Sequence, residues 1–371
     1  MERNIGFWKV AAILAAATLG DGVFALPFVF IQSGWLLSIL YLLALATIVV
    51  TAHVVYLKTL EKVDEKERLL GLARKYFGEK GFWVGFVAIV VGLLLTLVVY
   101  LILGAQFIKI LFPSALPGGP LLVFWMLATL LVFASDRHIV GLELVGVFCT
   151  SCIIILIFVT ALPNVTFAGI QAITGKNLFL PFGVILFELA GWTGIEPAYE
   201  TRKRSGRKYD PWRALALGTF AAAALSLMFI AGVLGSSSSH ITPDTISGLS
   251  DWPLWKRDAL ALLGLCAVST VFMPIAREIK NSLEKDLRWN KHYSRGLIIL
   301  APVACILLGL NNFLVVVGLV GGVFLSTQYL LIISVGRRAL RLSGTKKFLL
   351  DVVACVFVVA AIYQMYGFIV K

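Results

Sequence analysis

The chain has 371 residues, 60% of them hydrophobic and 14% charged, with a mean hydropathy of +0.94. Soluble domains carry about 25% charged residues, so this composition excludes one and describes an all-α polytopic membrane protein. The formal net charge of +12 invites a nucleic-acid reading, but the basic residues fall in short clusters between apolar runs, the pattern of positive-inside topology.

A span needs about 20 apolar residues. Eleven runs qualify: 6–33, 35–57, 82–111, 119–135, 139–161, 178–200, 212–235, 258–281, 296–310, 312–335 and 348–369. Asn311-Asn312 separates the ninth from the tenth; fused, they would be about twice the required length. With the N-terminus in the cytoplasm and strict alternation, all but five of the 32 Lys and Arg residues fall on the cytoplasmic side. The exceptions are Lys109, Lys176, Lys256, Arg257 and Lys371. Residues 58–81 mix charges with Leu69, Leu70, Leu72 and Tyr76, and read as a surface amphipathic helix. Residues 236–256 run from four serines to DWPLW, and read as an outer lid with Trp252 and Trp255 at the interface.

The first run is interrupted at its centre by TLGDGVFALP, residues 18–27. Two glycines loosen a helix, a proline removes a donor, and a carboxylate at mid-bilayer costs about 2.5–3.5 kcal/mol. The sixth run carries ELAGWTGIEPAYE, residues 188–200, with Gly191, Gly194 and then Pro197. Two broken helices five spans apart and opposite in direction point to an inverted-repeat carrier with its site at mid-membrane. The repeats are 1–161 and 178–335, with 348–369 as an added helix.

Broken helices expose N–H groups for a carboxylate and C=O groups for an ammonium. The amides at Gly20, Asp21 and Gly22 suit the first, and carbonyls near Thr18, Leu19, Ala190 and Gly191 the second. Trp192, Thr193, Phe187, Tyr100 and Thr96 reach the same depth as candidate pocket walls. Asp21 reads as an ammonium partner, a coupling residue or a helix cap. Glu188 and Glu196 read as proton carriers or as structural groups. Arg277 and Glu278 mark the inner end of the eighth span as a gate, closed by an acid elsewhere, or as a solvated helix end. His53 reads as a structural hydrogen-bonder before a proton relay, and Ser326 and Thr327 as weak candidates. The histidines His53, His138, His240 and His292 are scattered, and Cys149-x-x-Cys152 has no partner ligands nearby. No catalysis, cofactor or metal site is therefore expected, apart from a coupling ion.

The stretch GDGVFALPFVFIQSGW resembles the opening of the amino acid/auxin permease family, LPFGVILFELAGWTGIEPAYE its sixth-span segment, and VVVGLVGGVFLSTQYLL its tenth. The chain departs from the family in placing Glu196 before Pro197, which leaves the role of Glu196 open. The resemblance implies a LeuT-type fold of five plus five inverted helices, in the amino acid–polyamine–organocation superfamily. It implies cation-coupled import of amino acids, neutral and hydrophobic or aromatic by the residues above, across the inner membrane of a prokaryote. It also implies sodium at Ser269 and Thr270, with Asp21, Glu188 or Glu196 as the proton-coupled alternative. Carriage of another amine or organic cation, and sensing without transport, are the rival readings.

Overall fold

Helix α1 (Glu2–Thr18) stops where the glycines begin. Gly20 is extended (φ −103°, ψ −175°), a 3-10 turn covers Asp21–Ala25, and α2 (Leu26–Ser33) resumes the path. The halves of this span meet at 50°. Pro27 lies in the first turn of α2, where its missing N–H costs nothing; it starts a half-helix instead of kinking one. The second interruption repeats the plan. Helix α3 (Trp35–Val63), α4 (Leu69–Phe86), α5 (Gly92–Leu111), α6 (Gly119–Val132) and α7 (Ile139–Ala161) intervene. Then α8 (Leu180–Glu188) ends, Trp192–Gly194 form a 3-10 turn, and α9 (Ile195–Arg204) begins with Pro197 in its first turn. The chain closes with α10 (Pro211–Ser236), α11 (Leu254–Asn281), α12 (Lys291–Leu307), α13 (Phe313–Leu319), α14 (Ser326–Ala339) and α15 (Gly344–Ile369).

This computed structural model describes residues 2–63, 68–133, 139–164, 171–175, 177–206, 209–236 and 241–369. The side chains of 2–5, 21, 139–144, 164, 249–251, 368 and 369 lie outside that description, as do His138 and His240. Among the described residues, six helices are long and apolar enough to cross a membrane, or seven if the bent α1–α2 pair is one span. Helices of 10–17 apolar residues occupy Gly119–Val132 and Val145–Ala161. The turn between α12 and α13 does separate the ninth and tenth runs, with Gly309 at φ +104°.

Gly78 (φ +66°) turns the chain sharply within α4. Before it lies the expected surface helix, with Leu69, Leu70, Leu72 and Ala73 buried; after it the chain enters the membrane run. Helix α5 is the central post, packed by α11, α6, α12 and α13. Close approach there requires small residues: a side chain on Gly104 would strike Phe124, and one on Gly264 would strike Phe107. A π-helical turn at Val87–Val91 faces another at Val320–Leu325. The Gln328 amide donates to the Ala88 carbonyl at 2.7 Å. Satisfying such a carbonyl is obligatory away from water.

At the end where α2 meets α3, residues 171–177 are stitched to the corner. Trp35 N–H donates to the Gln171 carbonyl at 3.2 Å, Thr174 N–H to Ser33 at 3.0 Å, and the Ser33 hydroxyl to Asn177 at 2.9 Å. The segment before α11 folds back as expected for a lid. Thr245 donates its hydroxyl to the Phe24 carbonyl in the first break, and Ile246 and Trp252 are buried; Trp255 is exposed.

Candidate functional site: two crossed helix breaks

The two interruptions lie against each other. A Cβ on Gly22 would come within 2.9 Å of the Glu188 Cα and of the Phe187 ring. One on Gly191 would strike the Thr18 hydroxyl, and one on Gly194 would meet the Ala17 side chain at 2.6 Å. Each break is thus glycine where the other passes. Gly20 differs: its nearest neighbour would be the Thr18 carbonyl at 3.9 Å, so bare extended backbone faces open space there. Phe24 wedges between α5 and α10, with ring centroids 5.3 Å from Phe107 and 5.5 Å from Phe229.

The expected residues divide by position. Thr18, Leu19, Gly20, Gly22, Phe187, Ala190, Gly191, Trp192 and Thr193 all belong to the two breaks or their edges. Asp21 opens the 3-10 turn, and its side chain lies outside the described residues. Trp192 is fully buried in the core, its turn packed on α1. Thr18 is buried too, and its hydroxyl has no hydrogen-bond partner among the described residues. Thr96 donates to the Gly92 carbonyl of its own helix at 3.0 Å, and the Tyr100 ring is buried 6.5 Å from Phe272. Ser269 and Thr270 donate along their own helix, to Leu265 at 2.7 Å and Ala267 at 2.8 Å. Thr270 stands directly over Gly146 of α7, so it faces α7.

The acids also separate. Glu188 is buried and accepts from the Ser226 hydroxyl of α10 at 2.8 Å. Glu196 lies in a charged cluster at the end where α3 passes into α4. It accepts from the Tyr56 hydroxyl at 3.0 Å and from Arg68 Nε at 3.2 Å. Arg68 also pairs with Glu278, and Arg202 pairs with Glu61 while donating to the Tyr209 carbonyl at 2.8 Å. Burial works against the Arg68 charge, but Glu278 and then Glu196 outweigh it and hold the guanidinium above the ordinary arginine range. At the inner end of the eighth run, Glu278 thus pairs with Arg68. Arg68, Tyr56, Glu61 and Arg202 were not legible as partners. Arg68 sits in a charge-rich loop, where positive-inside topology already accounts for a cation.

The remaining candidates have partners inside the bundle. His53 and the Tyr329 hydroxyl are 3.0 Å apart in the core. Ser326 and Thr327 bond to carbonyls of their own helix, those of Gly321 and Val323. Cys149 faces Cys266 of α11, with sulfurs 3.8 Å apart. No group of three potential metal ligands occurs among the described residues.

Interrupted helices that cross within a bundle of apolar helices define a LeuT-like fold. Solved structures with this fold include the Eremococcus coleocola manganese transporter in complex with an aromatic bis-isothiourea substituted compound. It is 12% identical, with TM-score 0.62, over 98% of this chain and 87% of that one. Another is Mhp1, a nucleobase-cation-symport-1 family transporter, in a closed conformation with bromovinylhydantoin bound. It is 13% identical, with TM-score 0.62, over 91% of this chain and 79% of that one. Residues 3–370 match the transmembrane amino acid transporter proteins, and the chain belongs to that family. A curated relative, glutamine transporter 2 of Aliivibrio fischeri, is 21% identical over 332 residues, 86% of this chain and 85% of its own. The resemblance seen in the sequence thus holds, and the family and relatives are transporters, not enzymes.

Proposed function

We propose that this protein imports neutral amino acids by alternating access, coupled to an inward cation gradient, across the inner membrane of a prokaryotic cell. The observation that carries this reading is the open extended backbone at Gly20 beside the crossing of the two breaks. A zwitterion needs main-chain donors and acceptors at one depth, and this crossing supplies both. In this reading the amides of the first break take the carboxylate, with Asp21 at their head. The carbonyls near Thr18 and Ala190 take the ammonium. Tyr100, Phe187 and Trp192 form walls for a hydrophobic or aromatic side chain, and the Aliivibrio relative adds glutamine to the first substrates to test. The eleven-span, five-plus-five plan with a cytoplasmic N-terminus places the Arg68 cluster at the inner end.

The coupling cation is read as a proton carried at Glu188. This carboxylate is buried against the first break and reached by a neutral hydroxyl, whereas Thr270 is turned toward α7. Sodium at Ser269 and Thr270 is the second reading, favoured by two adjacent hydroxyl oxygens of the kind hard cations take.

The test is thermal stabilisation of the purified protein by each of the twenty amino acids, in sodium or potassium, at two pH values. A ligand that binds only the folded state raises the melting point by mass action. A shift with neutral amino acids that depends on pH and is lost in Glu188→Gln is expected. A shift that needs sodium and is lost in the Ser269→Ala, Thr270→Ala double variant replaces the proton with sodium. No shift with any amino acid overturns the substrate class.

A further inference from the structure

Four cationic side chains from two distant parts of the chain surround one cavity of about 450 Å³: Lys62 at the end of α3, Lys75 on the surface turn of α4, and Arg338 and Arg341 at the end of α14. Val63, Tyr76 and Ala339 complete its lining. We propose that this cavity binds a phosphate group, either the headgroup phosphate of an anionic lipid or free phosphate. That the cavity faces the inner leaflet rests on the topology proposed above; the binding chemistry does not.

The first support is a contrast in pairing. Neighbouring arginines on the same end of the bundle have carboxylate partners: Arg68 with Glu278, Arg74 with Glu79 at 2.9 Å, Arg202 with Glu61, Arg337 with Asp351. Among the described residues no carboxylate pairs with Lys62, Arg338 or Arg341. Among the described residues the cavity lining contains no acid.

The second support is charge balance. Helices α3 and α14 both end here, and each C-terminus contributes about half a negative charge. Those two ends offset roughly one unit, while Lys62, Arg338 and Arg341 alone bring three. Among the described residues this leaves an excess of about two positive charges around one concavity, which matches a phosphate carrying one to two negative charges.

The third support is that the guanidinium is held in place. Arg338 donates to the Tyr76 carbonyl and lies 4.1 Å over the Phe77 ring. Its other N–H groups are left to form the two-pronged contact that arginine makes with phosphate. Arg341 has φ +50°, a left-handed conformation that side chains rarely adopt, and it ends the helix with its side chain on the cavity. Basic pockets between membrane helices on the cytoplasmic side are where lipid headgroups bind.

The experiment follows melting of the purified full-length protein in neutral detergent. One arm titrates inorganic phosphate against chloride at equal ionic strength. The other titrates dioctanoyl phosphatidylglycerol against dioctanoyl phosphatidylcholine. Both arms are repeated on Lys62→Gln, Arg341→Gln and the double variant; both side chains are exposed, so the single variants serve if the double one does not purify. Saturable stabilisation by phosphatidylglycerol alone, with half-saturation at least threefold higher in the variants, identifies a lipid site. The same result with inorganic phosphate identifies a site for free phosphate. No saturable shift in either arm, or one the variants keep unchanged, overturns the proposal. A protein that passes this test yet is stabilised by no amino acid refutes the transport reading and leaves the phosphate site standing.

Discussion

Glu188 and Glu196 stand eight residues apart in one interrupted helix, yet they are held in different ways. Glu188 is buried where two backbones cross, and its described partner is a neutral hydroxyl, that of Ser226. Glu196 is clamped by Arg68 and Tyr56 beside the Arg68–Glu278 pair. The crossing is built by subtraction, with glycines where another chain must pass and backbone left bare at Gly20. The far end is built by addition, with charges from α3, α4, α9 and α11 drawn to common partners. The first arrangement lets two backbones approach closely; the second ties separate segments together through charge.

The largest expected effect breaks the clamp. Arg68→Ala leaves Glu196 and Glu278 facing each other in a half-buried site, and removing one partner of a buried pair costs about 3–5 kcal/mol. The melting temperature of the apo protein should fall by several degrees, and Glu278→Gln in the same background should recover most of the loss. An unchanged melting temperature would show that the cluster carries no stability.

A smaller loss is expected at the crossing, where two glycines should behave differently. Gly22→Ala places a methyl 2.9 Å from the Glu188 Cα. Backbone cannot yield there cheaply, and overpacking costs about 1–3 kcal/mol. Gly20→Ala meets only the Thr18 carbonyl, at an easy 3.9 Å, and should melt like the parent while losing most of its amino acid affinity, measured by the same thermal shift. Parental affinity in Gly20→Ala would separate the open backbone from the substrate. The smallest expected effect is that of Ser226→Ala, which removes one buried hydrogen bond worth about 1 kcal/mol. It should lower stability slightly, and a loss of several kcal/mol at the denaturant midpoint would show that the Ser226–Glu188 bond carries more than an ordinary hydrogen bond.

Much of the crossing was legible. Gly20, Gly22, Gly191 and Gly194 stood out because glycine is costly in an apolar helix, and the structure uses each at the interruption or its contact. The prolines were legible as markers but not in their role: Pro27 and Pro197 begin half-helices, since a proline is harmless in a first turn. The amphipathic segment at Leu69–Tyr76 was legible from its charge mixture, although the left-handed turn at Gly78 that sets it was not. Thr96, Ser269 and Thr270 were picked for depth and helical spacing. Spacing alone cannot say that Ser and Thr hydroxyls bond to carbonyls one turn back, or that Thr270 looks toward α7.

By itself the sequence determined that this is a helical membrane protein and where two helices must be interrupted. Those properties are local, arising from transfer of apolar side chains and from the backbone cost of glycine and proline, and so they are written in consecutive residues. Only the tertiary structure decided that Gly22 lies on Glu188 and Gly191 on Thr18. It alone paired Glu196 and Glu278 with Arg68, and brought Lys62 and Arg341 to one cavity. Contacts between residues more than a hundred positions apart depend on how helices cross. Many partners satisfy the same local pattern, and packing selects one.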